Sequence, residues 1–317
     1  MHTCAPPSSA MDAWLTVYPG TNGSYGHLLL EESGSRDDSL VGALRPYFES
    51  AHLDAREYFH EQMGIELHPD ADASVAHATY PGCLDSTTRR GLFGEVMAGL
   101  VTEHYQSKYV GEHPWYIPVY LFRFHEDVEQ YLFAFARDAR RLRATYGRRG
   151  SDFLALVLDS DGAVTRFIAG EAKWRAALRK SAVDKLMLDL IDCPDTGDKI
   201  PSGKGIWAQL NTDMGVPHGL RQLQRILRDR EPDAFSATIL SLDKILTAQN
   251  PVVVPRTNLV VIVGNDVPSR GGEGHSLIPW KKCPEDYKAP HDLQIVEVIL
   301  NDGEHLIDAV YDSLWAR

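Results

Sequence analysis

Two hydrophobic periods alternate along this chain and mark out its elements. From Leu40 to Met63 the positions Leu40, Leu44, Tyr47, Phe48, His52, Ala55, Tyr58 and Phe59 return every three or four residues, the repeat of one helix face, with Pro46 as a first-turn residue or a kink. Thr87 and Thr88 are suited to cap a second helix running to about Tyr105, with Leu92, Phe93, Val96, Met97 and Leu100 as its buried stripe. Further helices are expected at Ala134 to Tyr146, Lys173 to Ile191, Leu220 to Arg230, Asp233 to Ala248 and His305 to Trp315. Short apolar or β-branched runs predict strands at Trp14 to Tyr18, Trp115 to Phe124, Asp152 to Leu158, Val164 to Ala172, Asn258 to Val263 and Leu293 to Leu300. Pro118 suits an edge or a strand start, and the first dozen residues, rich in Pro and Ser, read as a mobile tail.

This interleaving, without an internal repeat, predicts an α/β fold covering most of the chain. The length of 317 residues and a hydrophobic share of 44% suffice for a buried core. The longest apolar runs, Phe153 to Leu158 and Leu259 to Val263, fall far short of the roughly 20 residues of a membrane-spanning helix, so no membrane association is expected. The first residues lack a basic region followed by an apolar core, so no secretion signal is expected. Cys4, Cys83, Cys193 and Cys283 form no CxxC pair, which argues against a disulfide framework or a structural zinc site and suits a reducing, cytoplasmic setting. A net charge of −12 argues against indiscriminate nucleic-acid binding, because phosphate contacts come from Lys and Arg.

The informative stretch runs from Gly150 to Trp174. Asp161-Gly162, between two strand-like runs, predicts a hairpin with a two-residue turn in which both residues take positive φ. That turn would set Asp152 directly opposite Glu171, with Cβ atoms about 5 Å apart, and Lys173 on the same strand face as Glu171. Facing carboxylates repel unless one is protonated or a cation lies between them. Paired hard oxygen ligands, with positions left for water and phosphate, are the usual setting for magnesium, and manganese is expected to substitute. Lys173 would then position a water or steady charge on a phosphodiester. Asp159 and Asp161 read as turn residues.

Between Arg137 and Lys185 twelve basic residues stand against six acidic ones, so this segment carries +6 and the remainder −18. Arg140, Arg141, Arg143, Arg148, Arg149, Arg175 and Arg179 flank the carboxylates as a phosphate-tracking groove would, although a solvated helix face explains the first five equally well.

Asp152, Glu171 and Lys173, with a hairpin between the two halves and a helix expected after them, resemble the PD-(D/E)xK nuclease motif, with Ser151 where Pro would stand. The resemblance implies a restriction-endonuclease-like core, a mixed central sheet flanked by helices, over residues 86–317, with residues 1–85 as an N-terminal α/β extension packed on it. It also implies a further acidic residue on an early core helix. The candidate is Glu95, beside Gly91, Ala98 and Gly99, and the competing reading of Glu95 is a solvated carboxylate on the helix flank. Asp152, Glu171 and Glu95 would be the metal ligands.

More narrowly, the Arg-Gly-x-x-Gly-Glu helix, the Ile-Pro-Val-Tyr segment, the Gly-Ser-Asp and Gly-Glu-Ala-Lys halves and the Ile-Val-Glu-Val-Ile-Leu strand resemble the nuclease subunit of Hachiman anti-phage defence systems, over residues 40 to 317. That resemblance implies a metal-dependent deoxyribonuclease acting on DNA in complex with a superfamily 2 helicase that restrains it. A stand-alone restriction-type endonuclease and a non-catalytic interaction subunit with a structural ion cluster are the competing readings.

Overall fold

The chain's computed structural model describes all residues except 19, 22, 35, 37, 38, 64–78, 125–150, 194, 195, 214, 280 and 317. Among the described residues the strands are β1 (Leu15–Tyr18), β2 (Tyr25–Glu32), β3 (Phe153–Leu158), β4 (Val164–Arg175), β5 (Leu190–Asp192), β6 (Lys199–Pro201), β7 (Arg256–Asn265) and β8 (Asp292–Leu300). The longer helices are α1 (Ser8–Trp14), α2 (Ser39–Met63), α3 (Ser86–His104), α4 (Lys180–Leu188), α5 (Ile206–Thr212), α6 (His218–Arg230), α7 (Ser236–Leu246) and α8 (Gly303–Ser313). Six strands form one mixed sheet in the order β1-β2-β8-β7-β4-β3, and β5 and β6 make a separate ribbon.

The inner strands β2, β8, β7 and β4 are mutually parallel, while β1 and β3 pair antiparallel at the edges. Strands covered on both faces need apolar residues at successive positions, which is why Leu259 to Val263 and Ile295 to Leu300 are near-continuous apolar runs. The first 85 residues supply β1 and β2 of this same sheet, with Tyr25 to Glu31 aligned on Leu293 to Ile299.

Helices α2, α3 and α8 cover one face, where Leu92, Phe93, Val96, Met97 and Leu100 of α3 pack with Phe153, Ile168, Ala172 and Val261 of the strands. Each such side chain, fully withdrawn from water, contributes about 1.5 to 3 kcal/mol. The other face is covered by two separate clusters. One joins α4 and α5 to Val260, Ile262 and Ile295, and the other joins α6 and α7 to Leu154, Leu156, Phe167 and Ala169.

Several elements depart from the sequence expectations. The N-terminal residues are docked: α1 buries Met11 and Trp14, and His2 is buried with its amide donating to the Pro118 carbonyl at 2.9 Å. Residues 115–124 form no ladder beyond one bridge, Tyr116 to Leu156. Pro118 has no N–H to donate, and the aromatic side chains of this run are core residues instead, with Trp115, Tyr120 and Phe122 all buried. The N-cap of α3 is Asp85, whose side chain accepts from the Thr88 amide at 2.7 Å, rather than either threonine. The helix expected from Lys173 starts only at Lys180, because β4 remains paired to β7 through Arg175 and Gly264. The basic helix expected at 134–146 lies outside the described residues.

Candidate active site

The hairpin of β3 and β4 positions the acidic pair. Phe153 faces Gly170 and Val157 faces Arg166, which is the expected register, and the Asp152 amide donates to the Gly170 carbonyl at 2.8 Å. The turn differs from expectation. Gly162 alone takes positive φ, 82°, and its amide donates to the Asp159 carbonyl at 3.1 Å, so the loop holds one residue more than a two-residue turn. Asp159 Oδ1 accepts from the amides of Asp161 and Ala163 at 3.0 and 2.9 Å and closes that loop. A register shift between Val157 and Leu158 cancels the offset before it reaches the site. Gly170 is needed for packing: a Cβ there would lie 2.0 Å from Cε1 of the buried Phe153 ring.

Along β4 one set of alternate residues changes character where its cover changes. Phe167 and Ala169 pack against α6 and α7, and the next two positions on that face are Glu171 and Lys173, which open into a cleft of about 950 Å³ between α5 and the start of α6. Lys173 Nζ donates to Asp152 Oδ2 at 2.6 Å and lies 3.0 Å from Glu171 Oε2, and the Ala172 amide donates to the same Asp152 oxygen at 2.9 Å. The carboxylate side chains are only 11% and 15% exposed, against 31% for Lys173, so two acids are held out of water beside one cation.

Burial and the charge of Asp152 push the Glu171 carboxyl up to about 8, against the attraction of Lys173. Burial works against the Lys173 ammonium, but the charges of Asp152 and Glu171 outweigh it and hold its pKa above the ordinary lysine value. The pair therefore lacks positive charge. A divalent cation on Asp152 and Glu171 would supply it, and magnesium needs only one or two carboxylates when water and phosphate fill its remaining positions. The donor set thus fits such an ion. Among the described residues no three His, Cys, Asp or Glu side chains are grouped to hold a metal, so Glu95 does not complete a trio with these two carboxylates.

Glu95 is buried in α3, 4% exposed, which removes the solvated-flank reading. Its charge is felt by Tyr80, Tyr120 and Tyr311 on the face covered by α2, α3 and α8, and it is not among the groups that act on Glu171. The close approach of α3 to β4 is made at Gly94, where a Cβ would be 3.7 Å from the Trp174 amide nitrogen, and neither Gly91 nor Gly99 makes it. Arg175 follows Lys173 on the same strand face; its guanidinium donates to the Trp174 carbonyl at 2.8 Å, and burial lowers its pKa. Arg179 is exposed at the start of α4, and neither arginine lines the cleft. Arg140, Arg141, Arg143, Arg148 and Arg149 lie outside the described residues.

The sequence reading missed the far wall of the cleft. Buried Arg256 pairs with Asp213 at 2.8 Å, donates to the carbonyls of Asp213 and Gly215 at 3.1 Å each, and reaches Asn258 Oδ1 at 2.7 Å. It fastens the segment leading to Pro217 and His218, which face the carboxylates across the cleft. The signal was a polar triplet, Arg256-Thr257-Asn258, opening an apolar strand. No helix among the described residues is long and apolar enough to cross a membrane. In comparisons with protein-family models and with curated proteins, nothing matches the chain.

Proposed function

We propose that this chain is a metal-dependent nuclease of restriction-endonuclease-like fold that hydrolyses phosphodiester bonds in DNA, as the effector beside a superfamily 2 helicase of the Hachiman type. The observation that carries the reading is the contact of one ammonium, Lys173, with two largely buried carboxylates, Asp152 and Glu171, at the floor of an open cleft. Buried acids destabilise a fold unless their charge is used, and their use here is to hold magnesium or manganese. Asp152 and Glu171 are the residues that would hold the ion, and when bound it supplies a water of lowered pKa and charge neutralisation at the phosphate. Lys173 orients the attacking water and steadies the charge that develops on the phosphoryl oxygens. The Ala172 amide fixes the Asp152 carboxylate, and Arg256 keeps the opposite wall in place. The DNA substrate and the helicase partner rest on the sequence resemblance.

A structural ion cluster is the competing reading, and the pairing of Lys173 with both acids favours it to the extent that the triad is self-satisfied. Cleavage of plasmid and linear DNA in magnesium, with and without the helicase product of a neighbouring gene, separates the two. Folded Glu171→Ala and Lys173→Ala proteins are expected to lose cleavage by at least about a hundredfold. Unchanged cleavage in both variants would refute the assignment.

A further inference from the structure

On the face covered by α2, α3 and α8, away from the carboxylate cleft, a cavity of about 340 Å³ lies where the second half of α2, the start of α3 and the end of α8 meet. Its chemistry comes from Arg56, His60, Arg89, Tyr80, Tyr311 and Trp315, with one carboxylate, Asp312, also in its lining. The Arg56 guanidinium carbon sits 4.6 Å from the Trp315 ring centroid, and that of Arg89 sits 5.8 Å from the Tyr311 ring centroid. Nε of Arg56 and Nε of Arg89 are both buried with no hydrogen-bond partner among the described residues. The Arg89 ion pair with Asp312 is long, 3.3 Å, and the Asp312 side chain is 72% exposed, so water screens it.

Two partly desolvated guanidinium groups line one cavity, and a bound anion would neutralise their charge where water is partly excluded. Phosphate matches the planar fork of arginine and accepts from several donors at once. The surrounding rings specify more than phosphate. Tyr80 and Tyr311 are core residues, each 3% exposed and tied through its hydroxyl to buried His52, at 2.6 Å to Nδ1 and 3.1 Å to Nε2, so they give the cavity a rigid base, and Trp315 is the half-buried ring beside them. A half-buried indole beside arginine, as at Trp315, is the setting in which a nucleobase stacks. The volume, near the low end of the roughly 300 to 1,000 Å³ of small-molecule sites, admits one nucleotide and no longer strand.

We propose that this cavity binds a nucleoside monophosphate, with its phosphate on Arg56 and Arg89 and its base against the Trp315 ring. The site is separate from the carboxylate cleft and does not rest on the nuclease reading. Its test is calorimetric titration of the intact chain in EDTA with AMP, adenosine and inorganic phosphate as separate arms, together with the Trp fluorescence that Trp315 should report. The expected result is saturable binding of one AMP per chain, at least about tenfold tighter than adenosine or phosphate. Arg56→Gln and Arg89→Gln should each weaken it by about tenfold or more, with Arg56→Lys intermediate, while Glu171→Gln leaves it unchanged. Circular dichroism establishes that each variant is folded. Absence of saturable AMP binding at millimolar concentration overturns the proposal, as does AMP binding that survives both arginine substitutions or is lost in Glu171→Gln. Phosphate binding as tightly as AMP would overturn the nucleotide assignment.

Discussion

Replacing Glu171 by Gln tests the electrostatics of the carboxylate pair independently of catalysis. In the metal-free protein burial and the charge of Asp152 hold the Glu171 carboxyl well above its ordinary 4.5, to which an unfolded chain returns it, so as pH rises past 4.5 the folded state keeps a proton that the unfolded state has lost. Stability must therefore fall as pH rises from 4.5 towards 8, by up to about 1.4 kcal/mol per pH unit. Gln keeps the shape of the protonated acid and cannot ionise. Urea unfolding in EDTA at a series of pH values from acid to mildly alkaline is expected to show the variant close to wild type at the acid end and progressively more stable towards pH 8. On the proposed metal site, magnesium should then reverse the order at the alkaline end, because an ion bound there would stabilise the protein that has two carboxylates to offer. Parallel pH profiles for the two proteins in EDTA would refute the reasoning, since they would mean that Asp152 and burial do not hold a proton on Glu171.

Other consequences are testable on the same protein. Burial holds the His52 imidazole down to about 3, so protonation favours the unfolded chain below its ordinary 6.5. At pH 5 this should cost about 2 kcal/mol relative to neutral pH, and the corresponding part of the pH slope should vanish in His52→Gln. Gly170→Ala places a Cβ 2.0 Å from the Phe153 ring and should lower stability by about 1 to 3 kcal/mol in thermal unfolding, whereas Gly94→Ala, with 3.7 Å to its nearest neighbour, should be neutral or stabilising by up to about 1 kcal/mol. Asp85→Ala removes the N-cap of α3 and should cost about 1 kcal/mol. Arg256→Met should cost about 1 to 3 kcal/mol and raise KM for the proposed DNA cleavage more than it lowers kcat, because it releases a wall of the cleft and none of the groups on its floor.

The legible part of the site was its local part. The two halves of the hairpin are close in sequence, strand alternation puts Glu171 and Lys173 on one face, and a turn residue such as Gly162 announces itself through its φ requirement. Even so, the turn came out one residue longer than the Asp-Gly pair suggested, and the intended pairing survived because the shift at Val157 and Leu158 compensated. Aromatic residues at 115–124 carried a strand propensity that the core used for packing instead, because Pro118 cannot join a ladder and burying large rings outweighs a few backbone bonds.

Hydrophobic period identified α3 and its buried stripe, but period alone says which side of a helix is covered and not what covers it. Glu95 was therefore readable as a helix residue and unreadable as a neighbour of Tyr80, Tyr120 and Tyr311 rather than of Glu171. The Arg256 clamp on Asp213 and the tie of His52 to Tyr311 join residues 43 and 259 positions apart. Local propensity carries no information about such pairs. Composition, alternation and turn chemistry were enough to mark out an α/β chain and to place one lysine between two acids. The far wall of the cleft, the place of Glu95 and the arginine-lined cavity were settled by packing across the sheet, where contact depends on how distant segments share a core.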